Sequence, residues 1–227
     1  MTISQFSGTN GAYITFDATT SASVQNANQP WSLTEPDANT LRFSLHSGDH
    51  WAEAGGGYND LTMNNAAERT EIAVNAGNPY PAGTQINISY QLMVEPGAAN
   101  TAPWLSLSQF HETPANGPGP FGILLDGEHM MIRTASGSGS TVLWEDPNPI
   151  QRGHYYDMNI QVKFDPSGNG FLSVWRDGVQ IVNYQGPIGY DGQSYYFKKG
   201  VYRGPAPETI TADFRNLHIT TGSALVP

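Results

Sequence analysis

Apolar and polar residues alternate at every second position along much of this 227-residue chain. Such alternation is typical of β-strands that pack one face on a core and turn the other to solvent or a ligand. Clusters of Gly, Pro, Asn, Asp and Ser separate the alternating segments, as turns do between strands. Thirteen segments are predicted to be strands: 12–17, 40–46, 69–75, 84–94, 104–111, 121–127, 128–134, 141–146, 155–165, 170–178, 179–185, 195–203 and 211–220.

No segment carries a convincing helical stripe, although 61–71 contains some helix formers with poor apolar spacing. The Asp177-Gly178 pair between two apolar runs predicts a hairpin with a tight turn, and 165–170 (DPSGNG) predicts another turn. No internal repeat or linker suggests a second domain. We therefore predict an all-β chain, with residues 1–227 forming a single jelly-roll sandwich of two antiparallel sheets with a concave groove.

Composition narrows the possible partners. Twenty-five aromatic residues argue against disorder, and the formal net charge is −10, with 20 acidic and only 10 basic residues. Nucleic acid is excluded because phosphate binding needs a basic stripe, which this chain lacks; a heavily sulfated ligand is disfavoured for the same reason. The absence of Cys excludes disulfides and thiolate metal sites. No apolar run approaches the roughly 20 residues of a membrane helix.

Three predicted strands carry polar residues at every second position: Arg69 and Glu71; Gln109 and His111; Lys198, Gly200 and Tyr202. Residues two apart on a strand share a face, which leaves Phe110, Phe197 and Val201 for the opposite side. Each motif alone has a simpler explanation, such as a solvent-facing ion pair or a polar sheet face. Their occurrence together favours one site, in which Gly200 would leave a floor that a ligand could approach closely.

The same segments resemble a known family. RTEI (69–72), QFH (109–111) and YFKKGVY (196–202) resemble, in order and spacing, the three signature strands of the alginate-lyase-like jelly-roll polysaccharide lyases. The segments 42–51 and 173–182 look closer to heparin-lyase-I-like and glucuronan-lyase-like relatives. The resemblance covers 41–203. Ile72 and Lys199 depart from it, since the family often has Leu and Ala there; Lys199 would lie at a sheet margin or in an irregular part of the strand.

The resemblance implies a lyase that cleaves a 4-linked polyuronate by β-elimination, with glucuronan expected before alginate and with heparin disfavoured. Arg69 and Gln109 would neutralise the substrate carboxylate, and His111 would be the base or assist neutralisation. Tyr202 would be the acid, and in a syn elimination also the base. As a base, Tyr202 would need a pKa well below its usual value, and the nearby charges of Arg69 and Lys198 offer a reason for such a shift.

Further residues are expected around this centre. Lys198, His50, Arg203 and Trp104 would bind substrate, while Glu71 would orient Arg69. Four of the ten basic residues fall in the candidate motifs (Arg69, Lys198, Lys199 and Arg203), which predicts a cationic groove on an anionic protein.

The resemblance implies no required cofactor, although oxygen ligands at Asp49, Asp60, Asn64 and Asn65 could hold a structural Ca²⁺. The expected partner is an anionic polysaccharide, with no nucleic acid and no membrane, and the chain is expected to be a monomer. The N-terminus has no signal-peptide pattern, so either the protein is not secreted by that route or the sequence begins after the cleavage site; an extracellular location is expected.

Two other functions stay open from the sequence. A non-catalytic, lectin-like carbohydrate-binding sandwich is the alternative. Such a protein would not need both His111 and Tyr202, so the presence of both favours the enzyme. A jelly-roll glycoside hydrolase ranks last, because no strand supplies the paired carboxylates that hydrolysis requires.

Overall fold

The computed structural model describes residues 1–115 and 117–222. Within these residues the chain forms sixteen strands and one short helix, and no helix is long and apolar enough to cross a membrane. The strands are β1 (Tyr13–Thr15), β2 (Ser21–Asn26), β3 (Leu33–Asp37), β4 (Thr40–Leu45), β5 (Glu68–Val74), β6 (Tyr80–Pro81), β7 (Gln85–Val94), β8 (Leu105–Thr113), β9 (Phe121–Asp126), β10 (His129–Ser136), β11 (Gly139–Pro149), β12 (Tyr156–Lys163), β13 (Asp165–Arg176), β14 (Val179–Ile188), β15 (Ser194–Arg203) and β16 (Ile210–Thr221). The helix α1 (Asp60–Met63) lies between β4 and β5.

The strands form two antiparallel sheets. The first sheet has the order β1-β2-β5-β15-β8-β9-β10-β11, with β6 also paired to β15, and the second has the order β14-β13-β12-β7-β16-β4-β3. Neighbouring strands such as β5 and β15, or β4 and β16, are far apart in sequence. The predicted all-β jelly-roll sandwich of two antiparallel sheets is therefore confirmed.

All thirteen predicted strands are present, whereas β2, β3 and β6 were missed. β2 alternates buried and half-buried residues along SASVQN, so its period-two signal was available. The hairpin at Asp177-Gly178 is confirmed: both residues have positive φ, 52° and 76°, as a two-residue turn between twisted strands requires. The chain reverses between Lys163 and Phe171 as predicted, although part of this segment also pairs with β14.

Apolar side chains from the facing sides of the two sheets form the core. Phe110 and Phe197 of the first sheet lie with ring centroids 5.4 Å apart, and Phe43 meets Phe214 edge-on at 5.5 Å in the second. All four are fully buried. Burial of each such ring contributes about 1.5–3 kcal/mol, so the alternating apolar positions supply much of the free energy that holds the sheets together.

β15 lies in the middle of the first sheet, between β5 and β8. Its register with β5 is regular: Lys198 lies opposite Ala73, Gly200 opposite Glu71 and Tyr202 opposite Arg69. Residues directly opposite each other share a face. The polar positions of β5 and β15 therefore lie together on the side of the sheet that faces away from the core.

The pairing of β8 with its neighbours is irregular. Between the pairs Lys199–Ser108 and Tyr202–Ser106, β15 has one more residue than β8. Between the pairs formed by Ser106 and Ser108 with β9, β8 in turn has one residue more. An extra residue bends a strand and re-aims its side chains. The first irregularity lies within the motif of β15, and the second lies in β8 immediately before Gln109.

Gly200 lies within this irregular stretch, at φ 139°. A Cβ there would overlap the carbonyl oxygen of Thr70 and lie 2.9 Å from a ring carbon of Phe43. Glycine is therefore required by close backbone approach and by the left-handed φ. This corrects the expectation that Gly200 leaves a floor for a ligand.

Lys199 points into the core. Its side chain is 1% exposed, with Nζ 5.6 Å from the ring centre of Phe214 and 5.8 Å from that of Phe16. It has no ion-pair partner among residues 1–115 and 117–222. The strand is thus irregular near Lys199, as one alternative held, and Lys199 does not lie at a sheet margin. Burial lowers the pKa of Lys199 from 10.5 to about 7.

We predict that Lys199→Met raises the free energy of unfolding at pH 7. Between pH 7 and 10.5 the unfolded chain holds the Lys199 proton more tightly than the folded protein does, so the wild type is destabilised there and gains stability as pH rises. The gain should be on the order of a few kcal/mol, at about 1.4 kcal/mol per unit of pKa shift. Urea unfolding at pH 7 and pH 10.5 measures it.

Lys163→Met, at a half-buried position of β12, is the matched control and should leave stability nearly unchanged. A Lys199→Met protein that is less stable than the wild type at pH 7 would contradict the assignment of an unpaired buried amine.

Candidate active site

A pocket of about 480 Å³ lies on the side of the first sheet that faces away from the core. The side chains of Arg69, Gln109, His111, Lys198 and Tyr202 all line it. The structure therefore brings the polar positions of the three motif strands into one pocket. Other lining residues were not predicted as a group: Gln25, Trp51, Tyr58, Asn64, Arg133 and Tyr196.

Glu71 lies beneath the pocket and is fully buried. One carboxylate oxygen is 2.6 Å from Nζ of Lys198 and 3.3 Å from Nη1 of Arg69, and the other accepts a 2.8 Å hydrogen bond from Nε2 of Gln109. These partners lie on β15, β5 and β8. Glu71 thus fixes side chains of three neighbouring strands, although it does not itself reach the pocket surface.

Asp60 is the main partner of Arg69. Its two carboxylate oxygens accept hydrogen bonds from Nε and Nη2 of Arg69 at 2.8 and 2.9 Å, and Asp60 is fully buried. Asp60 begins α1, whose N-cap is Asn59. The sequence-based prediction gave the orienting role to Glu71. The structure assigns most of it to Asp60, since only this carboxylate grips the guanidinium by two parallel bonds.

Three aromatic rings surround the guanidinium of Arg69. Its central carbon lies 3.9 Å from the ring centre of Tyr202, 4.9 Å from Trp51 and 5.9 Å from Tyr58. A planar guanidinium stacks favourably on such rings, and more so when water is excluded. Arg69 is thereby held in one orientation while it borders the pocket.

The buried charges shift one another's pKa values. Burial opposes the charged form of Arg69, yet Glu71 and Asp60 outweigh it and raise the pKa of Arg69. Burial would raise the pKa of Glu71, but Lys198 and Arg69 lower it overall. Burial and the charge of Arg69 lower the pKa of Lys198 to about 8, against the opposing pull of Glu71. At neutral pH the pocket floor therefore holds charged Arg69, Lys198 and Glu71.

Tyr202 has its hydroxyl in hydrogen-bond contact with Nδ2 of Asn64, and its ring meets Trp104 edge-on with centroids 4.7 Å apart. Burial raises the pKa of Tyr202, and the lowering effect of Arg69 does not offset it. The expectation that Arg69 and Lys198 lower the pKa of Tyr202 below its usual value is therefore wrong. Tyr202 is therefore protonated at neutral pH.

His111 stacks on Tyr196, with ring centroids 5.8 Å apart, and remains partly exposed. Its Nδ1 lies 3.0 Å from the backbone nitrogen and 3.2 Å from the carbonyl oxygen of Glu112. Burial and the nearby charge of Lys198 lower the pKa of His111 below 6.5. The imidazole is therefore neutral at pH 7. Nε2 can accept a proton in the tautomer in which Nδ1 donates to the Glu112 carbonyl, whereas in the other tautomer Nδ1 accepts from the Glu112 N–H and Nε2 carries the hydrogen.

Three expected substrate-binding residues do not line the pocket. Arg203 is fully buried on the core side of β15, where it pairs with Glu68 at 2.7 Å and Glu208 at 3.2 Å. His50 is bound through Nδ1 to the carbonyl oxygen of Ala67 at 2.8 Å. The expected cationic groove accordingly loses Arg203 and the core-facing Lys199, and gains Arg133.

Trp104 is 36% exposed beside Tyr202 but does not line the pocket itself. Its ring packs edge-on against Tyr202, so it borders the site at the end of β8.

The structure does not support the suggested Ca²⁺ site. The described residues contain no group of three His, Cys, Asp or Glu that could hold a metal ion. The carboxylate of Asp49 accepts hydrogen bonds from Trp31 and the backbone of His46, while Asp60 binds Arg69 and Asn64 binds Tyr202. These side chains are thus committed to different partners.

The fold and the pocket define a class of jelly-roll proteins with a polar site on the outer face of one sheet. The sequence model of the polysaccharide lyase family matches residues 2–220. The chain therefore belongs to the polysaccharide lyase family and is an enzyme of that class. No curated protein sequence matches it significantly.

Solved structures agree with this fold. Alginate lyase A1-II′, of polysaccharide lyase family 7, has a TM-score of 0.62 at 14% identity over 86% of each chain. The endo-β-1,4-glucuronan lyase of Trichoderma reesei has a TM-score of 0.62 at 11% identity, covering 87% of this chain and 86% of that one. An alginate lyase from Corynebacterium sp. has a TM-score of 0.58 at 15% identity, covering 85% and 82%. At such identities the likeness shows the fold.

We predict that Asp60→Asn lowers kcat/KM at least 10-fold, because the guanidinium of Arg69 loses its charged two-point partner. Removing one partner of a buried ion pair also costs about 3–5 kcal/mol of stability. Activity is measured at a temperature where the variant is fully folded by circular dichroism.

The matched control is Asp213→Asn on the second sheet. Asp213 is buried and grips Arg42 through the same two-point geometry, at 2.8 and 2.7 Å. This variant should lose stability and retain kcat/KM. Equal losses of activity in both variants would show that Asp60 acts only through stability.

Proposed function

We propose that this chain cleaves a 4-linked polyuronate by β-elimination at the pocket, with glucuronan preferred over alginate. The observation that carries the proposal is the meeting of Arg69, Gln109, His111, Lys198 and Tyr202 in one pocket. β-Elimination removes the C5 proton of a uronate and expels the oxygen on C4. It consumes no water and needs no redox cofactor, so the side chains of the pocket suffice.

Neutralisation of the substrate carboxylate falls to Arg69, Gln109 and Lys198. The C5 proton is weakly acidic because the adjacent carboxylate is an anion, and negative charge builds up on it as the proton leaves. Gln109 uses one amide N–H on Glu71 and Lys198 uses one of its three N–H donors on the same carboxylate. Each keeps at least one donor for the substrate.

His111 is proposed as the base and Tyr202 as the acid. A neutral imidazole with a lowered pKa accepts the C5 proton, and a phenol with a raised pKa delivers a proton to the departing O4. Both side chains project from the same face of the sheet, so base and acid approach a bound sugar from one side. This arrangement favours syn elimination.

Syn elimination supports the proposed choice of polymer. In glucuronate and mannuronate the C5 hydrogen and O4 lie on the same side of the ring, whereas in guluronate they lie on opposite sides. Solved relatives of the fold include a glucuronan lyase and alginate lyases. Because a polymer of this kind is too large to enter a cell intact, we propose that the enzyme acts outside the cell. We also propose that it acts as a monomer.

We predict a rise in ultraviolet absorbance when the protein is incubated with glucuronan, a smaller rise with polymannuronate, and none with polyguluronate, hyaluronan or heparin. Elimination leaves a C4=C5 double bond conjugated to the carboxylate, which hydrolysis does not. Tyr202→Phe should lower kcat at least 100-fold, since it removes the proton donor. Tyr184→Phe, at a half-buried position of the edge strand β14 in the second sheet, is the control and should keep its kcat.

Binding of a polyuronate with no absorbance change on any polymer would sink the elimination mechanism. That outcome would instead support a carbohydrate-binding protein of lectin type.

We predict an asymmetric pH profile. The acid limb of kcat/KM should titrate below pH 6.5, because His111 must be neutral and its pKa is lowered. Above about pH 8 kcat/KM should fall as free Lys198 loses its proton, while kcat declines less because bound carboxylate keeps Lys198 charged. Initial rates from pH 5 to 10 measure both parameters. In Lys198→Gln the plateau value of kcat/KM should be lower and the fall above pH 8 should be absent. A fall that persists unchanged in this variant would assign the alkaline limb to another group.

A further inference from the structure

Arg133 lies on β10, two strands from Gln109, and lines the same pocket. It is half-buried, and its Nε is buried with no hydrogen-bond partner among residues 1–115 and 117–222. Burial lowers the pKa of Arg133 and outweighs the opposing effect of Tyr190. In the described parts of the chain no carboxylate lies within ion-pair distance of it. Arg133 is thus a cation that lines the pocket and has no partner within the described part of the chain.

The other arginines of the protein are compensated. Arg42, Arg69, Arg152, Arg176 and Arg203 each form an ion pair within the described residues. The sixth, Arg215, donates to Gln91 at 2.6 Å and stacks on Tyr155 at 3.6 Å. A partly desolvated guanidinium without an acceptor is costly to the folded state. Such a cost is retained where a ligand supplies the missing acceptor.

The sheet register places Arg133 in one row with the residues of the candidate site. Arg133 lies opposite Gly122 of β9, Gly122 opposite Gln109 of β8, and Gln109 opposite Lys198 of β15. Residues in such a row share a face. Adjacent strands lie about 4.8 Å apart, so the backbones at Arg133 and Gln109 are separated by about 10 Å.

Gly122 places no side chain between Gln109 and Arg133, and the side chain of Leu124 packs against it. Its backbone conformation is not one that requires glycine, yet a Cβ there would lie 3.0 Å from the side chain of Leu124. A larger residue would fill the row between the amide and the guanidinium. The row therefore consists of a cation, an amide, a residue without a side chain and a second cation, and its three polar members line one pocket, which suits an extended ligand with anionic groups along its length.

We propose that Arg133 is the anchor of a second carboxylate-binding subsite, which holds a uronate unit other than the one that reacts. The polymer would then lie across the strands, from Lys198 past Gln109 to Arg133 of β10. A guanidinium fork binds a carboxylate through two parallel hydrogen bonds, a geometry that Lys cannot reproduce. This inference rests on the proposed function, because it takes the ligand to be a polyuronate.

The test compares Arg133→Gln and Arg133→Lys with the wild type. Since Arg133 contacts a unit that does not react, its loss should raise KM about 10-fold, equivalent to about 1.4 kcal/mol, and change kcat less than about 2-fold. The KM of Arg133→Lys should lie between those of the wild type and Arg133→Gln. Lys163→Gln on the second sheet, which removes one positive charge away from the pocket, is the matched control and should leave KM unchanged.

A binding measurement separates this inference from the proposed catalysis. In the Tyr202→Phe background, calorimetry with a defined glucuronate oligomer measures affinity without turnover. Arg133→Gln should weaken binding about 10-fold. A second oligomer keeps the carboxylate of the reacting unit and has all its other carboxylates reduced to alcohols. Tyr202→Phe with and without Arg133→Gln should bind this oligomer with equal affinity. Melting temperatures confirm that the variants are folded.

The outcomes are distinguishable. Unchanged affinity of Arg133→Gln for the intact oligomer, together with normal elimination, overturns the subsite and leaves the proposed function standing. An affinity loss in Lys163→Gln equal to that in Arg133→Gln also overturns it, because the effect would then be general electrostatics. Arg133-dependent binding without elimination on any polymer supports the subsite and overturns the lyase mechanism.

Discussion

The buried carboxylate of Glu71 is the interaction on which the site depends. An anion without water is tolerated only when donors surround it, and Glu71 takes these from Arg69, Gln109 and Lys198 on three adjacent strands. The same groups that satisfy Glu71 line the pocket. Their positions are therefore set by folding, before any substrate arrives, which is the condition for electrostatic stabilisation at little reorganisation cost.

The cluster is also balanced in charge. Arg69 and Lys198 are offset by Asp60 and Glu71, so this part of the pocket carries no net positive charge at neutral pH. Attraction for an anionic polymer must then come from unused N–H donors and from cations outside the cluster. Because the protein has a formal net charge of −10, recognition of the polymer depends on short-range contacts rather than on long-range electrostatic attraction.

Strand positions and the pocket face could be predicted because period-two alternation is a local signal. The same count could have excluded Arg203: it is one residue from Tyr202, so it belongs to the opposite face, where it pairs with Glu68. Lys199 has the same parity and enters the core. The resemblance drew attention to a cluster of basic residues, and the alternation within that cluster was not applied to each of them.

Other features needed the third dimension. Asp60 reaches Arg69 from the connection between β4 and β5, where the sequence has no regular period. The register of Arg133 with Gln109 requires the order of β8, β9 and β10. The pKa of Tyr202 depends on how deeply the ring is buried, and neighbouring charges alone suggested the opposite direction.

The irregular pairing around β8 has an evolutionary consequence. Two rows cross the pocket face, one through Tyr202, Ser106 and Leu124, the other through Lys198, Gln109 and Gly122. The rows are four residues apart on β15, three on β8 and two on β9. The three strands thus use different numbers of residues to span the distance between the same two rows. Substitutions can drift here, but a one-residue insertion or deletion in β8 would exchange the inner and outer faces of everything beyond it. The lineage of this enzyme is therefore expected to conserve the length of β8 more strictly than its composition.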